Sequence, residues 1–385
     1  MKKVGKDQTY LREVNNATVI EMILKKPRSG TEIAQELSVS SATASAIIKQ
    51  LEQAGIIKVL HTTSVAGYGR RRVLYDLDDN FGLVLAVDIS NFQATISLCS
   101  LHNQVLAEKV IALEKYDVFA LDLVIAAAQQ VVTEYEVKDI PLKSIVISVP
   151  GRVDKAGELV RSKQFSPDLF TEPHFIQKRF ARQFGEIFII LVNDINLIAY
   201  GEIKQGMLCD TPNALFISVD WGIGGAFIID RRLFIGDGGF AGEFGLIKYH
   251  DGKRSEVLDD YISLRYLAAE AEKIIGHPVS REELIALFHT NHQVKSLILN
   301  SATILGAALQ EVFDVTDIAV IVLSGQIVKF GSEYLDAVRA SLKTEPSSPE
   351  ICFSSLKEQG KIIGAAYLGR EHILRFAISS QRRKD

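Results

Sequence analysis

The sequence predicts an α/β protein made of a small helical head, residues 1–80, and a larger body of two related α/β lobes. Three observations carry this prediction. Residues 15–60 read as three short helices, each bounded by its own capping residues, with two β segments behind them. Farther along, helical and strand-like runs alternate, as in layered α/β folds. The order strand, Asp, turn, strand occurs twice, in "FGLVLAVDISNFQATISLC" and in "FISVDWGIGGAFIID" (216–230), the mark of an internal repeat.

The head begins near "NNATVIEMILKK", where Val19, Ile20, Ile23 and Leu24 share one helical face. "SGTE" at 29–32 is a capping box for a second helix that buries Ile33, Ala34 and Leu37. "LSVS" at 37–40 is a short turn, and Ser40 is placed to cap a third helix. That helix turns Ala44, Ile47, Ile48 and Leu51 inward and Ser41, Ala42, Thr43, Ser45 and Lys49 outward. Two β segments, 56–62 and 71–77, flank "TSVAGYGR" and the run Arg70, Arg71, Arg72. Helix-turn-helix plus hairpin is the winged-helix plan. Small polar residues at the start of the third helix can approach base edges in a major groove, and wing arginines can contact phosphate or a narrow minor groove. The competing reading is a small helical interaction domain with a solvated arginine run. The capped turn, the small polar start of the third helix and the basic wing together favour double-stranded DNA, and the charge distribution fits it: residues 1–80 carry 12 Lys and Arg against 9 Asp and Glu, while the whole chain carries 43 against 47.

In the body, helices are expected over 117–136, 260–276, 293–314 and 332–343, and strands over 143–149, 187–192 and 317–323. At 385 residues the chain exceeds one ordinary core. The expected division is 1–80, then a first lobe over 81–195 joined by a C-terminal helix at 365–385, then a second lobe over 196–364. A small ligand would lie in the cleft between lobes, with an oligomerisation surface on the second. No apolar run reaches about 18 residues, so no membrane span is expected, and the N-terminus lacks the apolar stretch of a signal peptide. Cys99, Cys209 and Cys352 are scattered, as in a reduced cytoplasmic protein.

Eight motifs in order, "AVDISNFQATISL", "SVPGRVD", "SPDLF", "VNDIN", "DWGIGGAFI", "GFAGEFG", "VLSGQIV" and "EQGKIIGAAYLG", together with the head, resemble the repressor branch of the ROK family over nearly the whole chain. The resemblance implies an actin-like, ribonuclease-H-like pair of lobes around a sugar site. It also exposes what has changed. The first phosphate loop of ROK kinases reads close to DIGGTK, and here it is "DISNFQ", Asp88 to Gln93. The second carries GTGIG, and here it is "DWGIG", where Asp220 would repel phosphate and Trp221 would fill its space. A glycine pair near the adenosine has become "SGQ", 324–326. No nucleotide cofactor and no kinase activity are therefore expected.

The sugar side is better kept. "VNDIN" stands for ENDAN, retaining Asn193 and Asp194, which in a kinase would be the general base. A helix cap is the plain structural alternative there. Gly151 would let backbone approach the sugar, Asp168 would replace a sugar-contacting asparagine, and Glu243 and Asp259 complete the set. The family's zinc-binding histidine is Leu246, and no cysteine stands in "HDGKRSEVLD" (250–259), so no metal is expected and His250 reads as a surface residue. The expected protein is a transcriptional regulator, most simply a sugar-responsive repressor. It would act as a homodimer or tetramer, with effector binding altering the spacing of two heads on an operator. The alternatives are a DNA-binding scaffold without an effector or under a protein partner's control and, less favoured, an active sugar kinase.

Overall fold

The computed structural model describes residues 8–63, 72–135, 140–250, 255–342 and 348–380. The head contains helices Gln8–Lys25, Gly30–Glu36 and Ser41–Gln53 and an antiparallel sheet in which Arg72–Leu77 lies between Arg28–Ser29 and Ile57–Thr63. The first helix starts seven residues before the periodic pattern does. Leu11 and Val14 on its early turns are exposed, so no apolar stripe marks them, and no breaker interrupts the helix before Lys25. Both local caps form. Ser29 donates its backbone N–H to Glu32 at 2.8 Å and its hydroxyl accepts in return, while Ser40 Oγ accepts from Thr43 N–H at 3.1 Å. Val19, Ile23, Ile33, Leu51 and Ile56 are buried as the head's core.

The body holds two five-stranded sheets of identical topology. The first runs, in space, Val105–Ala112, Gln93–Cys99, Leu83–Ser90, Leu142–Val149, Phe188–Asn193. The second runs Arg232–Phe234, Ile223–Ile229, Ala214–Val219, Val320–Ser324, Glu350–Phe353. In each, the first three strands in chain order form an antiparallel meander and the last two add in parallel. The central strands Leu83–Ser90 and Ala214–Val219 are buried throughout, which accounts for their unbroken apolar runs. The strands that sequence reading did not anticipate are short or alternate in burial at the sheet margins, Val105–Ala112 above all.

Helices Val118–Glu134 and Phe175–Phe184 cover one face of the first sheet. The second sheet packs against Leu264–Ile275, Arg281–Thr290, His292–Thr316 and Gly331–Ala340. His292–Thr316 is long and apolar enough to span a bilayer, yet Val294, Ile298, Leu305 and Leu309 lie in the second lobe's core. The C-terminal helix runs Gln359–Ser380 and so begins ahead of the expected position 365, while residues 381–385 lie outside the described set. It lies on the other face of the first sheet, against Leu83–Ser90 and Leu142–Val149. It also packs along helix Asp194–Gln205 through a glycine seam. A Cβ at Gly201 would come within 2.5 Å of the Gly360 carbonyl oxygen, and one at Gly364 would collide with the Leu197 carbonyl. Only glycine permits backbones this close.

Head and body share a continuous apolar cluster in which Ile20 and Ile23 join Val84, Ile373, Leu374 and Ile378. A polar clasp sits beside it. His102, on a turn of the first lobe, meets Asp79 through Nδ1 at 2.8 Å and Asp76 through Nε2 at 3.3 Å. The hydrogen bond to Asp79 is the main cause of a raised His102 pKa. This clasp stabilises fully below the ordinary histidine value of 6.5 and is lost as pH rises through the raised one. His102→Gln is thus expected to cost about 0.5–1 kcal/mol near pH 5.5 and progressively less as the pH is raised, measured by urea unfolding of both proteins across a pH series.

Candidate functional site

The first candidate surface is the N-terminal face of helix Ser41–Gln53. Ser41, Ala42, Thr43, Ser45 and Lys49 are all exposed there, on the side opposite the buried Ala44, Ile47, Ile48 and Leu51. The Thr43 hydroxyl lies 2.8 Å from Ser40 Oγ, so it also braces the cap. Arg72 opens strand Arg72–Leu77, whereas Arg70 and Arg71 lie outside the described residues.

The second is a cleft of about 630 Å³ between the lobes. Gly151, Asn193, Asp194, Glu243 and Asp259 all line it. Asp168 does not. Its carboxylate accepts from Val118 N–H at 3.3 Å, at the start of helix Val118–Glu134, where a negative charge is favoured by the helix dipole. The expected sugar contact is therefore a helix-terminus contact.

Asn193 caps helix Asp194–Gln205, accepting from Asn196 N–H at 3.0 Å, and its amide donates to the Gly151 carbonyl at 2.8 Å. Its polar atoms are thus engaged, and Gly151 acts by orienting it. Asp194 is left as the acceptor that faces the cleft. Burial, opposed by Lys361 and reinforced by Asp88, pushes the Asp194 carboxyl up to about 7. Glu243 pairs with Arg152 at 3.2 Å, and Asp259 with Lys163 and Arg265, each at 3.2 Å. Leu246 is 48% exposed in the cleft wall and gives it an apolar edge. His250 is exposed at the end of strand Lys248–His250.

At the other end of the cleft, the turn that stands for the second phosphate loop is occupied by protein cations. Arg281 reaches Asp220 at 3.4 Å, lies over the Trp221 ring at 5.6 Å and donates to Asn91 of the opposite lobe at 3.1 Å. Lys361, 4% exposed, meets Ser90 Oγ at 2.8 Å, Glu358 at 3.2 Å and Asp88 at 3.3 Å. Burial alone would lower its pKa, but Asp88, Glu358 and Asp194 outweigh it and raise it. Burial raises Asp220, with Arg281 opposing. Asp220 and Trp221 form a seat for Arg281. Sequence reasoning missed Arg281, Lys361, Arg152 and Lys163. Arg152 stands beside Gly151 in a motif already singled out and Lys361 lies in another, whereas nothing local marks Arg281.

The ROK family model matches residues 84–372. The chain belongs to the ROK family. A helix-turn-helix domain model matches residues 16–69. Over 386 aligned residues the chain is 24% identical to the xylose repressor of Bacillus spizizenii, spanning 96% of this chain and 98% of that one. It is 26% identical over 240 residues to the DNA-binding transcriptional dual regulator NagC of Escherichia coli, spanning 62% of this chain and 58% of NagC. Among solved structures, a ROK transcriptional regulator described as a homologue of the E. coli Mlc protein superposes with a TM-score of 0.79 at 20% identity, covering 96% of this chain and 98% of that one. A ROK glucokinase from Streptomyces griseus, solved with glucose and AMPPNP, superposes with a TM-score of 0.64 at 20% identity. It is covered completely by 75% of this ROK chain, so the body carries the shared fold and the head is additional.

Proposed function

We propose that this ROK protein is a DNA-binding, sugar-responsive transcriptional repressor of the cytoplasm, acting as a homo-oligomer on operator DNA. The observation that carries the reading is one helix, Gln359–Ser380. Its first turn places Lys361 in the cleft and its far end, Ile373 to Ile378, joins the apolar cluster of the head. A ligand that changes the separation of the lobes thereby acts on the element that seats the DNA-reading domain. The full-length similarity to a xylose repressor supports the same reading.

The protein is proposed to lack sugar kinase activity. Arg281 and Lys361 occupy the loops that would hold nucleotide phosphates, and each is already paired with carboxylates. Ring hydroxyls of the effector would bond to Asp194, which faces the cleft at the start of its helix. The test is a titration of operator release with pentoses, hexoses, amino sugars and their derivatives, for wild type and Asp194→Ala. Losing a charge-assisted hydrogen bond should weaken the effector about ten- to a hundredfold. Asp194→Ala should then stay on the operator at effector concentrations that release wild type. Equal release of both proteins would move the effector elsewhere. No release by any ligand would favour a second reading, a dimerising scaffold, for which the ion pairs spanning the cleft are the supporting observation. ATP-dependent phosphorylation of a sugar would overturn the non-enzymatic part.

A further inference from the structure

We infer that the effector is an anionic sugar, a sugar phosphate or a sugar acid, whose charged group is held by Arg152 and Arg161. The inference rests on the reading that the cleft takes a sugar. The short strands Arg152–Val153 and Leu159–Arg161 pair antiparallel and set Arg152 directly opposite Arg161. Both line the cleft. Like charges placed opposite each other on neighbouring strands repel, and the two backbones here lie close. Gly151, at φ 144°, fixes the turn so tightly that a Cβ there would come within 2.6 Å of the Arg161 carbonyl oxygen. Glu243 compensates Arg152 at 3.2 Å. The Arg161 guanidinium is exposed and has no carboxylate partner among the described residues. A planar fork of donors beside a second arginine is the arrangement that recognises phosphate or carboxylate.

The other wall explains why a neutral sugar is a poorer fit. Arg152, Lys155 and Lys163 from the first lobe pair with Glu243, Asp237 and Asp259 from the second, at 3.2, 3.6 and 3.2 Å. A neutral sugar that bonds to Glu243 shares that carboxylate with Arg152 and brings no charge to Arg161. An anionic sugar exchanges partners: its charge goes to Arg152 and Arg161, and Glu243 is freed to accept from the hydroxyls.

The test is isothermal titration of the full chain with matched ligands: glucose, glucose 6-phosphate and glucuronate, the N-acetylglucosamine pair, and inorganic phosphate alone. The phosphate and carboxylate arms separate the two kinds of anion. The anionic member of a pair is expected to bind at least about tenfold more tightly than its parent, with a preference that shrinks as salt is raised. Arg161→Gln, at an exposed position, should abolish that preference and leave operator affinity at the wild-type level. A neutral parent that binds as well as its anion, or a preference that survives Arg161→Gln, overturns the inference while the sugar-responsive reading stands. Silence of every sugar overturns both.

Discussion

Replacing Ala42 by glutamate is expected to weaken operator binding at least about a hundredfold without destabilising the fold. Ala42 is exposed on the first turn of helix Ser41–Gln53, next to the Ser40 cap. An acidic residue in a first turn interacts favourably with the helix dipole, worth about 0.3–1 kcal/mol, so the helix itself gains. The same carboxylate would face phosphates and base edges of a bound duplex, where it adds repulsion and can displace a positioning contact. A loss of about 3 kcal/mol corresponds to somewhat more than a hundredfold in affinity. The opposite signs make the experiment sharp. Mobility shift against operator DNA at fixed salt, with thermal unfolding of the same preparations, should show lost binding and an unchanged or slightly raised melting temperature. Operator binding near the wild-type level would remove this helix from the DNA interface.

The second large effect is structural. Glu202 is fully buried in helix Asp194–Gln205. Its Oε1 accepts from Ser354 Oγ at 2.5 Å and Leu356 N–H at 2.9 Å, and its Oε2 from Met207 N–H and Ser355 Oγ, each at 2.9 Å. The carboxylate ties this helix to the segment that leads from strand Glu350–Phe353 into the C-terminal helix. Glu202→Ala removes the acceptor from four donors at once and leaves a cavity, so a loss of about 3–5 kcal/mol is expected. Glu202→Gln keeps one carbonyl oxygen and should lose less. Urea unfolding of the three proteins checks the order, and an alanine variant as stable as wild type would contradict it.

The sequence revealed most where interactions are local. Ser29, Glu32 and Ser40 lie within three residues of the groups they cap, and the third head helix exposes the face its period predicts. The strand–Asp–turn–strand repeat showed the related lobes because a central strand buried on both faces leaves an unbroken apolar run. What stayed hidden depends on long-range pairing. Lys163 and Asp259 are 96 positions apart, and Arg281 and Asn91 are 190 apart. Glu202 has its partners at Ser354 to Leu356, although a lone glutamate among the apolar residues of "LIAYGEI" was a usable sign of a satisfied buried charge. Asp168 misled because a motif gives a residue's neighbourhood in the chain, and here its carboxylate turns to Val118.

The glycine seam between helices Asp194–Gln205 and Gln359–Ser380 has a mechanical consequence. Side chains between two helices normally leave slack, because rotamers can change as the helices slide. At Gly201 and Gly364 backbone lies on backbone, and at Gly360 only the stiff β-branched Ile198 side chain intervenes. Asp194 opens one helix and Lys361 lies in the first turn of the other, so the polar groups of the cleft and the shafts behind them form one stiff part. A helix of 22 residues is about 33 Å long. Pivoted at the cleft, such a lever turned through about five degrees sweeps its far end through about 3 Å. In the homo-oligomer proposed above, where two heads would meet half-sites set by the DNA repeat, a stroke of that size would separate register from misfit.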